Sequence, residues 1–201
     1  MNLVERVRNI LLSPKAEWSV IEAETGSTAD LYKSYVMPLA AIGPVASIIG
    51  MSIIGIQASF IGTYRTPFWS AFAHGIISYA FALAGVLVLG LIVDALAPTF
   101  GGEKNAEQAL KAAVYASTPG WVAGILLLVP VLGTLVWVIG LYSLYLFYLG
   151  LPVLMKAPQE KAVAYTATVV IAGLVVMLII GGAGALFFPA PHVPAGLLAP
   201  Q

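Results

Sequence analysis

One histidine and one carboxylate stand inside otherwise apolar stretches, His74 and Asp94. Ionisable groups within a membrane segment are costly, and they commonly carry protons, ions or ligands. These two sit twenty residues apart on what reads as one helix, near its opposite ends. They cannot meet within one chain, so each is expected to lie at a membrane interface. A second cluster is polar but uncharged: Tyr115-Ala116-Ser117-Thr118-Pro119. Pro119 has no N–H and frees the Tyr115 carbonyl, while the Ser117 or Thr118 hydroxyl can bond a nearby backbone group. Such a break is either a kink fitted to one neighbour or a hinge and substrate-facing polar site. Just beyond it, Gly120 and Gly124 form a GxxxG pair that permits close helix approach. Further on, Tyr142, Tyr145 and Tyr148 recur every three residues, as a helix-packing, interfacial or lipid-facing row would.

Beyond these residues the chemistry runs out. No histidine or carboxylate cluster has metal-ligand spacing, no glycine loop with a lysine cradles phosphate, and no serine sits in a nucleophile elbow. Cysteine is absent, which excludes disulfides and thiolate chemistry. Neither a catalytic set nor a cofactor nor a metal is expected, and the chain reads as a non-enzyme.

The elements that must position these groups belong to a membrane. Of 201 residues, 60% are hydrophobic and 9% charged, where a soluble domain carries about 25% charge. Nine basic and nine acidic residues cancel, which argues against a nucleic-acid binder. From Tyr115 to Pro152 there is no charge at all, and Val129–Thr134 breaks that stretch into two spans. The pattern predicts an all-α integral membrane bundle of five transmembrane helices, at about 35–59, 68–95, 112–129, 134–155 and 163–188. Pro38 and Pro44 kink the first of these. Residues 1–34 are expected to form an N-terminal amphipathic cytoplasmic segment. There Leu3, Val4, Val7, Ile10 and Leu11 lie opposite Glu5, Arg6 and Arg8, followed by a second short helix begun by Ser13-Pro14. Trp18 and Ile21 would anchor that helix, and Ser27 or Thr28 would cap the next. Residues 189–201 read as a flexible proline-rich tail holding His192. With the N-terminus inside, eight lysines and arginines are cytoplasmic and only Arg65 is outside. The positive-inside rule therefore puts the C-terminus across the membrane.

Several stretches resemble the bacterial branch of the Yip-domain (Ypt/Rab-interacting) membrane proteins. They are DALAPTFGGEKNAEQALKAAVYASTPGWVAG at 94–124, LYSLYLFYLGLPVLMKAP at 141–158 and KAVAYTATVV at 161–170, with SPKAEWSVIEAE and YVMPLAAIGP ahead of them. The resemblance implies a cytoplasmic N-terminal segment followed by five spans. Eukaryotic relatives act in vesicle traffic, binding small GTPases or partner membrane proteins and influencing membrane shape. The cytoplasmic segment here is short beside theirs, which points to a bacterial inner membrane, where no Rab cycle operates. The expectation is then a scaffold or modulator of membrane organisation, in contact with lipids, other membrane proteins or further copies of itself. A small oligomeric transporter or channel built on the proline-broken helices is the alternative.

Overall fold

The computed structural model describes residues 2–58 and 62–187. The expected tail, 189–201 with His192, lies outside the described residues. Two short helices come first: α1, Leu3–Leu12, capped by the Asn2 side chain, and α2, Pro14–Ala23, with Pro14 in its first turn. Ser13 occupies the N-cap position of α2 without bonding through its side chain, but its carbonyl takes the Glu17 N–H. α3, Thr28–Leu31, begins at Ser27, whose hydroxyl accepts the Asp30 N–H and donates to the Asp30 carboxylate. That reciprocal cap starts a longer helical run.

The run continues through a π-helical turn at Tyr32–Val36, then α4, Met37–Ala40, and α5, Ile42–Ile49, into a second π turn at Gly50–Ile54. Pro38 explains the first irregularity: it can donate no bond, and the wider π turn just ahead of it absorbs the mismatch. The helix stops at Gly55, whose φ of 79° is left-handed. Residues 55–58, expected as part of the first span, are therefore not helical. Strands β1, Ile56–Ala58, and β2, Gly62–Tyr64, pair antiparallel there, with Ile56 opposite Tyr64.

α6 spans Phe68–Leu96, twenty-nine residues, and a 3-10 turn at Ala97–Phe100 extends it. Its buried residues are Ala71, Gly75, Val86, Gly90 and Val93, a narrow and mostly small-residue stripe. Trp69, Phe72, Ile76, Phe81, Leu87 and Leu91 face outward. A helix that packs through small residues and exposes large apolar ones is made for lipid, because lipid gives no penalty for exposed hydrocarbon.

Next comes α7, Ala106–Ala116, capped by the Asn105 side chain. A turn at Ser117 leads to α8, Thr118–Ala123, and 3-10 turns follow at Gly124–Leu128 and Pro130–Leu132. α9, Gly133–Gly140, and α10, Tyr142–Leu154, form the return run, and α11, Ala162–Phe187, closes the fold. Four of these runs are long and apolar enough to cross a membrane: Thr28–Ile54, Phe68–Phe100, Pro130–Leu154 and Gln159–Ile179. The expected third span, 112–129, instead falls on the broken α7–α8–3-10 path. Pro119 cannot continue the α7 hydrogen-bond ladder, and no uninterrupted helix of spanning length forms there. The common core gathers Ile10, Trp18 and Ile21 of the first two helices with Val36, Val93, Val114, Leu146, Leu151 and Tyr165.

Candidate functional site

The polar centre of the molecule begins at Arg6. On α1 two residues depart from the expected division into an apolar and a charged face: Arg6 is 4% exposed and Val4 68% exposed, while Ile10 is buried and Glu5 and Arg8 are exposed. Arg6 is buried because partners meet it from two other elements. Its Nη1 donates to Glu17 Oε1 of α2 at 2.5 Å, and its Nη2 donates to Glu24 Oε1 at the end of α2. Its guanidinium also lies over the Tyr115 ring of α7, 5.6 Å from the centroid, a cation–π arrangement. Burial would lower the Arg6 pKa, but Tyr115 and the two carboxylates hold it above the ordinary arginine value. The group stays charged at any working pH.

The same centre ties α2 to α7. Lys111 Nζ donates to the Glu24 carbonyl at 2.5 Å and pairs with Glu107 Oε1, one turn back, at 2.9 Å. Gln108 Nε2 donates to the Glu22 carbonyl at 3.0 Å. Trp18, fully buried, meets the edge of Tyr115 at a centroid distance of 6.4 Å. Its indole lies against α10 where there is no side chain, so a Cβ added at Gly150 would stand 2.7 Å from Trp18 Cε2 and Cζ2. Gly150 is the socket for Trp18.

The residues expected at the helix break fall on this centre in different ways. Tyr115 is its aromatic floor. Ser117 sits at the turn between α7 and α8, and its hydroxyl donates to the Ala113 carbonyl at 2.7 Å, closing the α7 end locally. Thr118 is fully buried and shares a 2.9 Å hydrogen bond with the Tyr35 hydroxyl of the first helical run. Tyr35 in turn packs on Tyr115 at 4.8 Å. Pro119, buried, stands in the first turn of α8. A cavity of about 400 Å³ opens above them, bounded by Arg6, Glu24, Asp30, Tyr35, Lys111 and Tyr115.

The remaining expected residues lie apart. His74 is exposed on α6, far along the same helix from Asp94, and the two do not meet. Asp94 is half-buried, and its Oδ1 has no hydrogen-bond partner. Gly124 makes the close approach expected of it: a Cβ there would be 2.8 Å from Gly43 Cα of α5. Gly120 has nothing within 4 Å of such an atom and takes no part. Tyr142 and Tyr145 pack together at 5.5 Å, and the Tyr142 hydroxyl donates to the Leu11 carbonyl of α1 at 3.0 Å. Tyr145 is exposed and Tyr148 half-buried.

Sequence reasoning missed Arg6, Glu17, Glu24, Lys111, Tyr35 and Gly150 as members of one centre. A visible signal was the carboxylates at 17 and 24 standing about two helical turns apart across a Ser-Pro turn from Arg6. Among the described residues, no group of three or more histidines and carboxylates is placed to hold a metal ion.

A broken helix in an apolar bundle, roofed by a short helical hairpin, is the arrangement of a multi-pass membrane protein. The Yip1 domain matches residues 8–180, and the chain belongs to that family. It is similar to the inner membrane protein YohC of Escherichia coli strain K12, with 25% identity across 87% of this chain and 91% of that protein. The YohC of Escherichia coli O6:H1 is similar to the same extent. No solved structure matches the chain.

Proposed function

We propose that this chain is a non-catalytic protein of a bacterial inner membrane that organises its neighbours, either lipids or partner membrane proteins, rather than transforming a substrate. The observation that carries this reading is how the central charges are spent. Arg6 is taken by Glu17 and Glu24, and Lys111 by Glu107 and a backbone carbonyl. These pairs hold α1 and α2 onto the broken helix, and the outward faces of α6 and α11 are large and apolar. The kinship with a protein named only for its inner membrane location agrees with this reading. Five crossings, a cytoplasmic N-terminus and an external C-terminus are part of the proposal and rest on the basic-residue asymmetry.

The test is reconstitution into liposomes with two readouts, the order of the surrounding lipid and the flux of small solutes. The scaffold reading expects altered lipid order or self-association with sealed vesicles. Unchanged lipid order together with protein-dependent solute flux would overturn it. A second reading, a small oligomeric transporter, is favoured by one feature: the cavity ends at Tyr35 and Tyr115, where the Tyr35–Thr118 bond closes the helix break. In that case Thr118→Val should change the flux, whereas a scaffold should show none to change.

A further inference from the structure

α6, α8, α10 and α11 leave an apolar groove of about 640 Å³ among them. On α6 its wall runs from Ser78 to Ile92, about 21 Å at 1.5 Å per residue. α6 and α11 close on each other where Leu89 seats on Gly173, at which an added Cβ would stand 3.3 Å from Leu89 Cδ1. One turn away, Gly85 has nothing within 4 Å of such an atom, so the groove is hollow there. Ser117 and Trp121 of the helix break and Phe147 of α10 share the lining.

This place is inside the membrane wherever the bundle sits. The run Phe68–Phe100 is about 50 Å long, and a slab about 30 Å thick that it crosses always encloses its central 10 Å or so. Gly85 lies about 25 Å from Phe68, at that centre. The groove opens on hydrocarbon, because Phe81, Leu174 and Met177 in its lining are 50%, 54% and 66% exposed on the lipid-facing sides of α6 and α11. A polar solute finds little to bind: the Ser117 hydroxyl is already given to the Ala113 carbonyl, and Ser78 is the other hydroxyl of the lining. Left empty, the walls forfeit their dispersion contacts on one side. A helix about 10 Å wide laid along the wall would fill about 1,600 Å³, more than twice the space. A single hydrocarbon chain is thin enough to lie in it.

We propose that the groove holds one acyl chain of a membrane lipid, which lies against Gly85 and Trp121 and packs the helix break on the side facing α6 and α11. The proposal needs the membrane placement alone, which the scaffold and transporter readings share.

Trp121 reports on the groove. A chain carrying Trp69→Phe and Trp137→Phe keeps Trp121 beside the fully buried Trp18, and a control carrying Trp69→Phe and Trp121→Phe keeps Trp137, which is 81% exposed. Each is reconstituted into phosphatidylcholine brominated on its acyl chains, a contact quencher of indole, then taken up in excess detergent and freed of bulk lipid. Trp121 should stay quenched while Trp137 regains its emission. Equal recovery of the two would overturn the proposal, and that comparison needs no change inside the hollow. Gly85→Leu, which builds a side chain into the hollow, should release the quenching of Trp121; quenching that survives it places the chain elsewhere and also overturns the proposal. Thermal unfolding in detergent checks that variant: it should lose the rise in Tm that added phosphatidylcholine gives the parent. A second copy in the groove would instead give a dimer that Gly85→Leu separates. Residues 188–201 in the groove would let brominated lipid be retained after their removal and not before. Either result replaces the acyl chain as the occupant.

Discussion

Arg6 is the residue on which the hairpin's attachment turns. Its partner Glu17 is as deeply buried as itself, and removing one member of a buried pair strands the other without water. Arg6→Ala should therefore lower stability by about 3–5 kcal/mol, read as thermal unfolding in detergent micelles. Arg6→Lys should recover only part of it, because an ammonium cannot fork between two carboxylates and stack on Tyr115. The contact to Glu24 is partly exposed, so Glu24→Gln should cost much less than Glu17→Gln. Equal losses at the two carboxylates would show that burial does not set the balance. A second residue-scale test uses Gly150. Gly150→Ala places a methyl group into the Trp18 indole, and overpacking of this kind costs about 1–3 kcal/mol. Hydrogen exchange should then accelerate in α1 and α2 while α11 keeps its protection. Uniform acceleration would mean that Trp18 supports the whole bundle rather than the hairpin.

Between elements, a hydrogen bond and a glycine contact tie the second half of the broken helix to the first helical run. Tyr35→Phe leaves the fully buried Thr118 hydroxyl unpartnered, which should cost about 1–3 kcal/mol. Thr118→Val in the same chain should restore part of that loss, and a double-mutant cycle should give a coupling of about 1 kcal/mol. Gly124→Ala should destabilise by about 1–3 kcal/mol through its clash with Gly43, whereas Gly120→Ala should stay within about 0.5 kcal/mol of the parent. The sequence named both glycines and could not rank them, because the GxxxG spacing does not say which residue faces the neighbour. It did locate the Tyr115–Pro119 break, since proline and clustered hydroxyls act on the local backbone. The Ser27 cap was legible for the same reason. The Arg6 centre was not, because its partners come from α2 and α7, more than a hundred positions apart in the case of Tyr115. An arginine beside Glu5 and Arg8 reads as solvated until the pairing is seen. His74 and Asp94 are more conspicuous in the sequence, because each stands as a single ionisable residue in an apolar stretch.

At the scale of the whole molecule the open quantity is the number of crossings, which decides where the C-terminus lies. The two ends of the segment 103–155 meet: the Glu103 N–H bonds the Met155 carbonyl at 2.8 Å, and Lys156 pairs with Glu103 at 3.4 Å. The return limb, Pro130–Leu154, is long enough to cross a membrane. A path that comes back to its start must have gone out as far as it returned. The outgoing limb, α7, α8 and the 3-10 turn to Leu128, covers about 35 Å at 1.5 Å per α-helical and 2.0 Å per 3-10 residue. That matches a slab about 30 Å thick. Its length supports the proposed fifth crossing in spite of the break, where Thr118 bonds Tyr35 of the first helical run and Ser117 bonds the Ala113 carbonyl. Five crossings with a cytoplasmic N-terminus expect alkaline phosphatase fused after Gln201 to be active and a green fluorescent protein fused there to be dark. Four crossings give the reverse, because the C-terminus then returns to the side of the N-terminus. In that event α7 and α8 would form a re-entrant pair, and the cavity lined by Arg6 and Tyr115 would belong to an element that enters and leaves by one face.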